Sequence, residues 1–206
     1  MKVTKLEESG ACSALLGMGL SHKATIEVAK NKFLLKDWFD VVYQSVEIYK
    51  LRKKMLKRAN KLAFKGNGHN EFLKFIHTSF LITAPTYFWN HIGQYSFISD
   101  LSTSQMHNAL DRYLTQDDFE SFIPNNYLEL LANKRDEVIA GTLEFQKYIN
   151  CIPVGFLYTR VIDVNYMSLQ NIVRQRENHK LPEWKFFCDN VRKQIEHPEW
   201  VFKGEK

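Results

Sequence analysis

The stretch "NYMSLQNIVRQR", residues 165–176, constrains the fold most. At 100° per residue, Tyr166, Leu169, Ile172 and Val173 share one arc, so this segment must lay a helical face on a core. Asn165 and Arg176 fall within the same arc. An ordinary surface helix keeps such groups out, so the pattern predicts a polar groove about three turns long beside the core, with Leu169 and Ile172 packed beneath it. The alternative is an arginine snorkelling at a helix end.

A second helical period lies upstream. Ile48, Leu51, Met55, Ala59 and Leu62 keep apolar spacing, while Lys50, Arg52, Lys53, Lys54, Lys57, Arg58 and Lys61 crowd the opposite side. This predicts one long helix from Asp37 to about Ala63, with room for a single break, ended by the turn-forming "KGNGH" at 65–69. The basic face reads first as a solvated surface and second as a surface for phosphate or nucleic acid.

Further along, "NEFLKFIHTSFLITAP" reads as an amphipathic helix passing into the β-favouring "SFLIT", with Pro85 as its stop. "TYFWNHIGQYSFI" is another amphipathic segment, followed by the hydroxyl-rich "SDLSTSQMH", which suits helix capping or phosphate binding. Thr115 caps a short helix in "LTQDDFESFIP", and "YLELLANKRDEVIAGTLEFQKYIN" has the longest clean helical period of the second half. "CIPVGFLYTRVIDV" serves as a separator before "NYMSLQNIVRQR", and "LPEWKFFCDNVRKQIEH" supplies the final helix. The sum is an α+β fold, one α-rich domain over 1–206 with a small sheet.

Several function classes lose their usual support. The seven histidines include no i, i+4 pair, and Cys12, Cys151 and Cys188 lack zinc spacing, so no metal site is expected. Neither a phosphate-cradling Gly-x-x-x-x-Gly-Lys loop nor a Gly-x-Ser-x-Gly elbow is present. Three distant cysteines suit a reducing compartment, and no apolar run reaches membrane-spanning length, so a cytoplasmic protein without a membrane partner is expected.

The spacing Asn165, Asn171, Arg176 resembles the carboxy-terminal motif of the flavin-dependent thymidylate synthases, also called thymidylate-synthase-complementing proteins. Pro153 upstream and "LPEWKFF" with Trp184 downstream resemble that family's flanks. "GHNEFLKFIHTSFLITAPTYFWNHIGQY" resembles its Gly-His segment, strand and flavin-binding helix, with His69, Phe80 and Ile82 on the pattern. Ser104 stands in the place of the serine of its substrate loop, so the resemblance spans residues 65 to 200.

The resemblance implies an FAD cofactor held by His69, Asn165 and Asn171. It further implies a dUMP-like nucleotide bound by Arg176, Ser102 and Ser104, Ser104 as the catalytic serine, and a homotetramer with sites shared between subunits. The implied reaction is reductive methylation of dUMP or a related step, without a cysteine nucleophile. One departure is plain: the family's Arg-His-Arg triplet falls at Gln94 to Phe97, and no arginine occurs between Arg58 and Arg112. The family's arginine after the serine is also absent, with Gln105 and Met106 there. The other readings are a nucleotide-binding or sequestering protein of the same fold without chemistry, and a basic nucleic-acid-binding module.

Overall fold

The computed structural model describes residues 1–204 apart from Val41 and Thr103, and leaves the side chains of Gln105, Met106 and His107 undescribed. Thr103, part of the hydroxyl-rich "SDLSTSQMH", lies outside the described residues. Eleven α-helices and four strands are present among those described.

Strands β1 (Lys2–Ser9), β2 (His77–Pro85), β3 (Ile98–Ser102) and β4 (Leu157–Asn165) form one antiparallel sheet in the order β1-β2-β4-β3. Along β2 and β4 the buried residues alternate: Thr78, Phe80, Ile82 and Ala84 meet Val164, Ile162 and Tyr158 on one face. The opposite face carries Leu81, Val161 and Leu101 in register, and Leu81 and Leu101 are exposed.

The expected helix at "NEFLKFI" is instead a 3-10 turn, Glu71–Phe75, which buries Phe72 and Leu73 and leads into the buried Ile76 before β2 starts. The separator "CIPVGFLYTRVIDV" contains β4, the strand that joins β2 to β3.

Helices α1 (Ala11–Gly19), α2 (Lys23–Lys30), α3 (Lys32–Phe39) and α4 (Val46–Leu62) follow β1. The break allowed in the long helix falls between Phe39 and Val46, where Asp37 holds the Ser45 amide and hydroxyl and Ser45 caps α4. Gly10 joins β1 to α1 at φ 91°, and a Cβ there would stand 1.8 Å from the Phe75 carbonyl oxygen, so only glycine fits.

Next come α5 (Thr86–Ile92), α6 (Gln105–Asp111), α7 (Asn125–Ile139) and α8 (Phe145–Ile149). The capping turn at Thr115 forms as a 3-10 turn, Gln116–Asp118, in which Asp118 accepts from the Thr115 amide and hydroxyl and pairs with Arg112.

The chain closes with α9 (Tyr166–Arg176), α10 (Pro182–Gln194) and α11 (Pro198–Val201). One hydrophobic cluster runs through the molecule and centres on the fully buried Trp38, Trp184, Trp200, Phe80, Phe88 and Phe187. Phe80 of β2 meets Phe187 of α10 edge-on, with ring centroids 6.5 Å apart, which fastens α10 beneath the sheet.

Candidate functional site

α9 buries Tyr166, Leu169, Ile172 and Val173 as its stripe requires, and its other side walls a cleft of about 1210 Å³. Asn165, Asn171 and Arg176 all line that cleft. Asn165, however, is not inside the helix. Its backbone is extended at φ −80°, ψ 159°, it ends β4, and its side-chain oxygen accepts from the Ser168 amide at 2.9 Å. An asparagine at this position is a strong N-cap, so capping accounts for its presence in the arc, while its amide NH₂ is not used by the cap.

Arg176 ends α9 half-buried. Its Nε donates to the Tyr95 hydroxyl at 2.6 Å and one Nη to the Gln94 side-chain oxygen at 3.4 Å. The guanidinium lies 5.0 Å from the Trp184 ring centroid and 5.6 Å from that of Tyr95. A planar cation seated on aromatic faces is held in orientation, at about 0.5 to 2 kcal/mol per contact.

Asn171 accepts from Arg174 and Gln175, which holds Arg174 at the cleft wall. Among the described residues, Arg174, Arg176 and Lys203 have no carboxylate partner, and Glu177, the one acid of the lining, stands 3.9 Å from Arg192. The cleft therefore presents uncompensated positive charge. Arg174, Lys74 and Lys203 carried no signal in the sequence that set them apart from other surface cations.

The facing lip is Gln94–Phe97, in the turn after α5. Phe97 sits at φ 63°, outside the range a phenylalanine prefers, and is 83% exposed. Such a conformation costs about 1 to 3 kcal/mol and is found most often where a site needs it. Phe64, from the turn after α4, adds a second ring to the lining. His69, Ser102 and Ser104 are exposed and stand outside the lining of this cleft in the protomer.

Behind Arg176, the Trp184 indole N–H donates to His91 Nδ1 at 3.2 Å, and the two rings stack at 9°. Accepting at Nδ1 requires a neutral ring protonated at Nε2. Burial, then the charges of Arg176 and His179, hold the His91 pKa below its usual 6.5. A depressed histidine contributes stability that is present above about 6.5 and lost as pH falls through the folded value. The His91 ring protons are therefore expected to titrate below 6.5 by NMR, and a midpoint above 6.5 would contradict this seating. Cys188 is no nucleophile here: burial pushes its thiol up to about 12.

The fold defined by these elements is that of the flavin-dependent thymidylate synthases. Such an enzyme from Helicobacter pylori, ThyX, solved with FAD and dUMP, superposes with a TM-score of 0.67 at 14% identity, over 100% of both chains. PolB, a UMP/dUMP methylase from Streptomyces cacaoi solved with 5-Br UMP, superposes with a TM-score of 0.59 at 10% identity, over 98% of this chain and 92% of that one. At these identities the likeness is one of fold. The sequence matches no protein-family model and no curated protein.

Proposed function

We propose that the cleft beside α9 binds a uridine mononucleotide together with FAD, and that the protein carries out reductive methylation of dUMP or a closely related base. The observation that carries this reading is Arg176, a half-buried cation with no carboxylate partner among the described residues, braced by Tyr95 and Trp184 over a cleft of about 1210 Å³. A single small ligand usually fills about 300 to 1,000 Å³, so the volume suits a nucleotide and a cofactor together.

The residues present fit an anionic, ring-bearing cofactor. Arg174 and Lys203 offer charge for a pyrophosphate, Phe64 and Phe97 offer faces for flat rings, and the Asn165 and Asn171 amides offer hydrogen bonds, while Lys74 is already paired with Glu71. When bound, a reduced flavin supplies hydride, and a folate supplies the one-carbon unit. Arg176 grips the nucleotide phosphate through its fork, while Tyr95 and Trp184 keep that fork aimed.

In this reading Ser104 acts on the base, and Ser102 and His69 assist in binding. Their place outside the cleft of their own protomer then calls for a site shared between copies. The open sheet face supports a homo-oligomer, for which we propose a tetramer in the cytoplasm: Leu81, Val161 and Leu101 form an apolar band across three strands.

The uncharged lip Gln94–Phe97 favours a second reading, a protein of this fold that binds the nucleotide without chemistry. The deciding experiment is calorimetric titration of dUMP and FAD into the purified protein, followed by assay for a methylated pyrimidine with reductant and methylene-folate. Binding of both ligands with turnover is expected. Binding without turnover selects the second reading, and binding of neither ligand overturns both.

A further inference from the structure

The positive charge of the chain is concentrated in one place. Residues 23–65 hold twelve lysines and arginines against four acids, whereas the rest of the chain holds sixteen against nineteen. Within α4, Lys50, Lys53, Lys54, Lys57 and Lys61 fall in an arc of about 100° along some 16 Å of helix. All five are exposed, and none has a carboxylate partner among the described residues.

The two arginines of α4 are engaged elsewhere, Arg52 with the Cys12 sulfur and Arg58 with His22. The opposite face, Ile48, Met55 and Ala59, is sealed in the core, so α4 cannot turn an apolar side toward a lipid layer.

The stripe leads to the cleft. Ala63 keeps right-handed helical angles after α4, so Phe64 continues the phase of the lysines, and Phe64 and Gly66 line the cleft wall. At the other end, exposed Tyr49 lies with Lys53 Nζ 5.9 Å from its ring centroid, and exposed Tyr43 stands in the preceding loop.

We propose that α4 is a track for single-stranded nucleic acid that feeds into the cleft, so that the uridine recognised there includes a residue of a polynucleotide chain. Lysines spread along this face meet neighbouring phosphates, and Tyr43, Tyr49 and Phe64 offer faces on which bases stack without regard to sequence. The inference rests on the cleft taking a pyrimidine nucleotide.

The test is fluorescence anisotropy of a fluorescein-labelled 12-residue oligouridylate with the full chain and with Lys53→Gln/Lys57→Gln, which leaves the cleft lining intact. With five lysines engaged, a slope of about −0.7 per phosphate weakens wild-type binding about 100-fold between 50 and 200 mM salt. The double variant is expected to bind at least about 10-fold more weakly at 50 mM and to lose only about 20-fold over the same range. Its dUMP affinity should match wild type, and saturating dUMP should weaken oligomer binding to the wild-type protein.

Equal oligomer binding by the two proteins overturns the proposal, as does wild type that ignores the oligomer but sediments with phosphatidylserine vesicles through the same lysines. Oligomer binding that dUMP leaves unchanged, in a protein that does bind dUMP, also overturns it. Lysine-dependent oligomer binding by a protein that does not bind dUMP keeps the track and overturns the mononucleotide reading instead.

Discussion

Arg176→Ala is expected to weaken dUMP binding by roughly 2 to 4 kcal/mol, because a phosphate in a partly desolvated cleft loses a charge-assisted fork. The loss should exceed that of a neutral hydrogen bond, since Gln94, Tyr95 and Ser96 across the cleft offer dipoles but no charge. Arg176→Lys should recover only part of it. An ammonium keeps the charge but cannot bond Tyr95 and a phosphate in one plane, and it is a poorer partner for the Trp184 face. Tyr95→Phe separates aim from charge: it removes the 2.6 Å bond from Arg176 Nε and leaves the guanidinium in place, so a smaller loss is expected. Calorimetric titration, with far-ultraviolet dichroism to confirm folding, measures all three. If wild type binds dUMP and Arg176→Ala binds it equally well, the cleft is not the phosphate site.

Much of α9 was legible because burial obeys a period: Tyr166, Leu169, Ile172 and Val173 are buried as the 3.6-residue repeat demands. The same arithmetic misled at Asn165, since an N-cap keeps the phase of the helix while its backbone belongs to the strand before it. The signal for β4 was present as the alternation of Tyr158, Ile162 and Val164, interrupted by Arg160, which pairs with Asp100 of β3. β1 gave almost none. It is an edge strand in which Val3 alone is buried, and the charges of Lys2, Lys5, Glu7 and Glu8 that suit an edge also hide it as a strand. The cleft is harder still, because it joins α9 to Gln94–Phe97, about eighty residues away, and to Lys203 beyond α11. No local period reports such a meeting; the family-like spacing alone drew attention to Gln94–Phe97.

Trp184 is where fold and site become one problem, and Trp184→Ala is expected to have the largest effect on stability. The residue is fully buried, and its indole touches Phe88 at 4.6 Å between centroids, Phe187 at 5.8 Å and Tyr95 at 6.3 Å, while donating to His91. Truncation leaves a cavity walled by rings that cannot easily collapse, at a cost of about 3 to 5 kcal/mol. In a chain of 206 residues this corresponds to a fall in Tm of about 6 to 20 °C. Trp184→Phe refills most of that space and should cost much less, but it removes the proton donated to His91 Nδ1. Burial and the charges of Arg176 and His179, which hold the His91 titration low, remain in Trp184→Phe, so that titration should stay below 6.5 in the variant. The platform beneath Arg176 also shrinks, so dUMP affinity should fall in Trp184→Phe even though the fold persists. Denaturant unfolding followed by dichroism, NMR titration and calorimetry read these three effects separately. A cost below about 1 kcal/mol for Trp184→Ala would mean that the aromatic cluster does not support α10 as described.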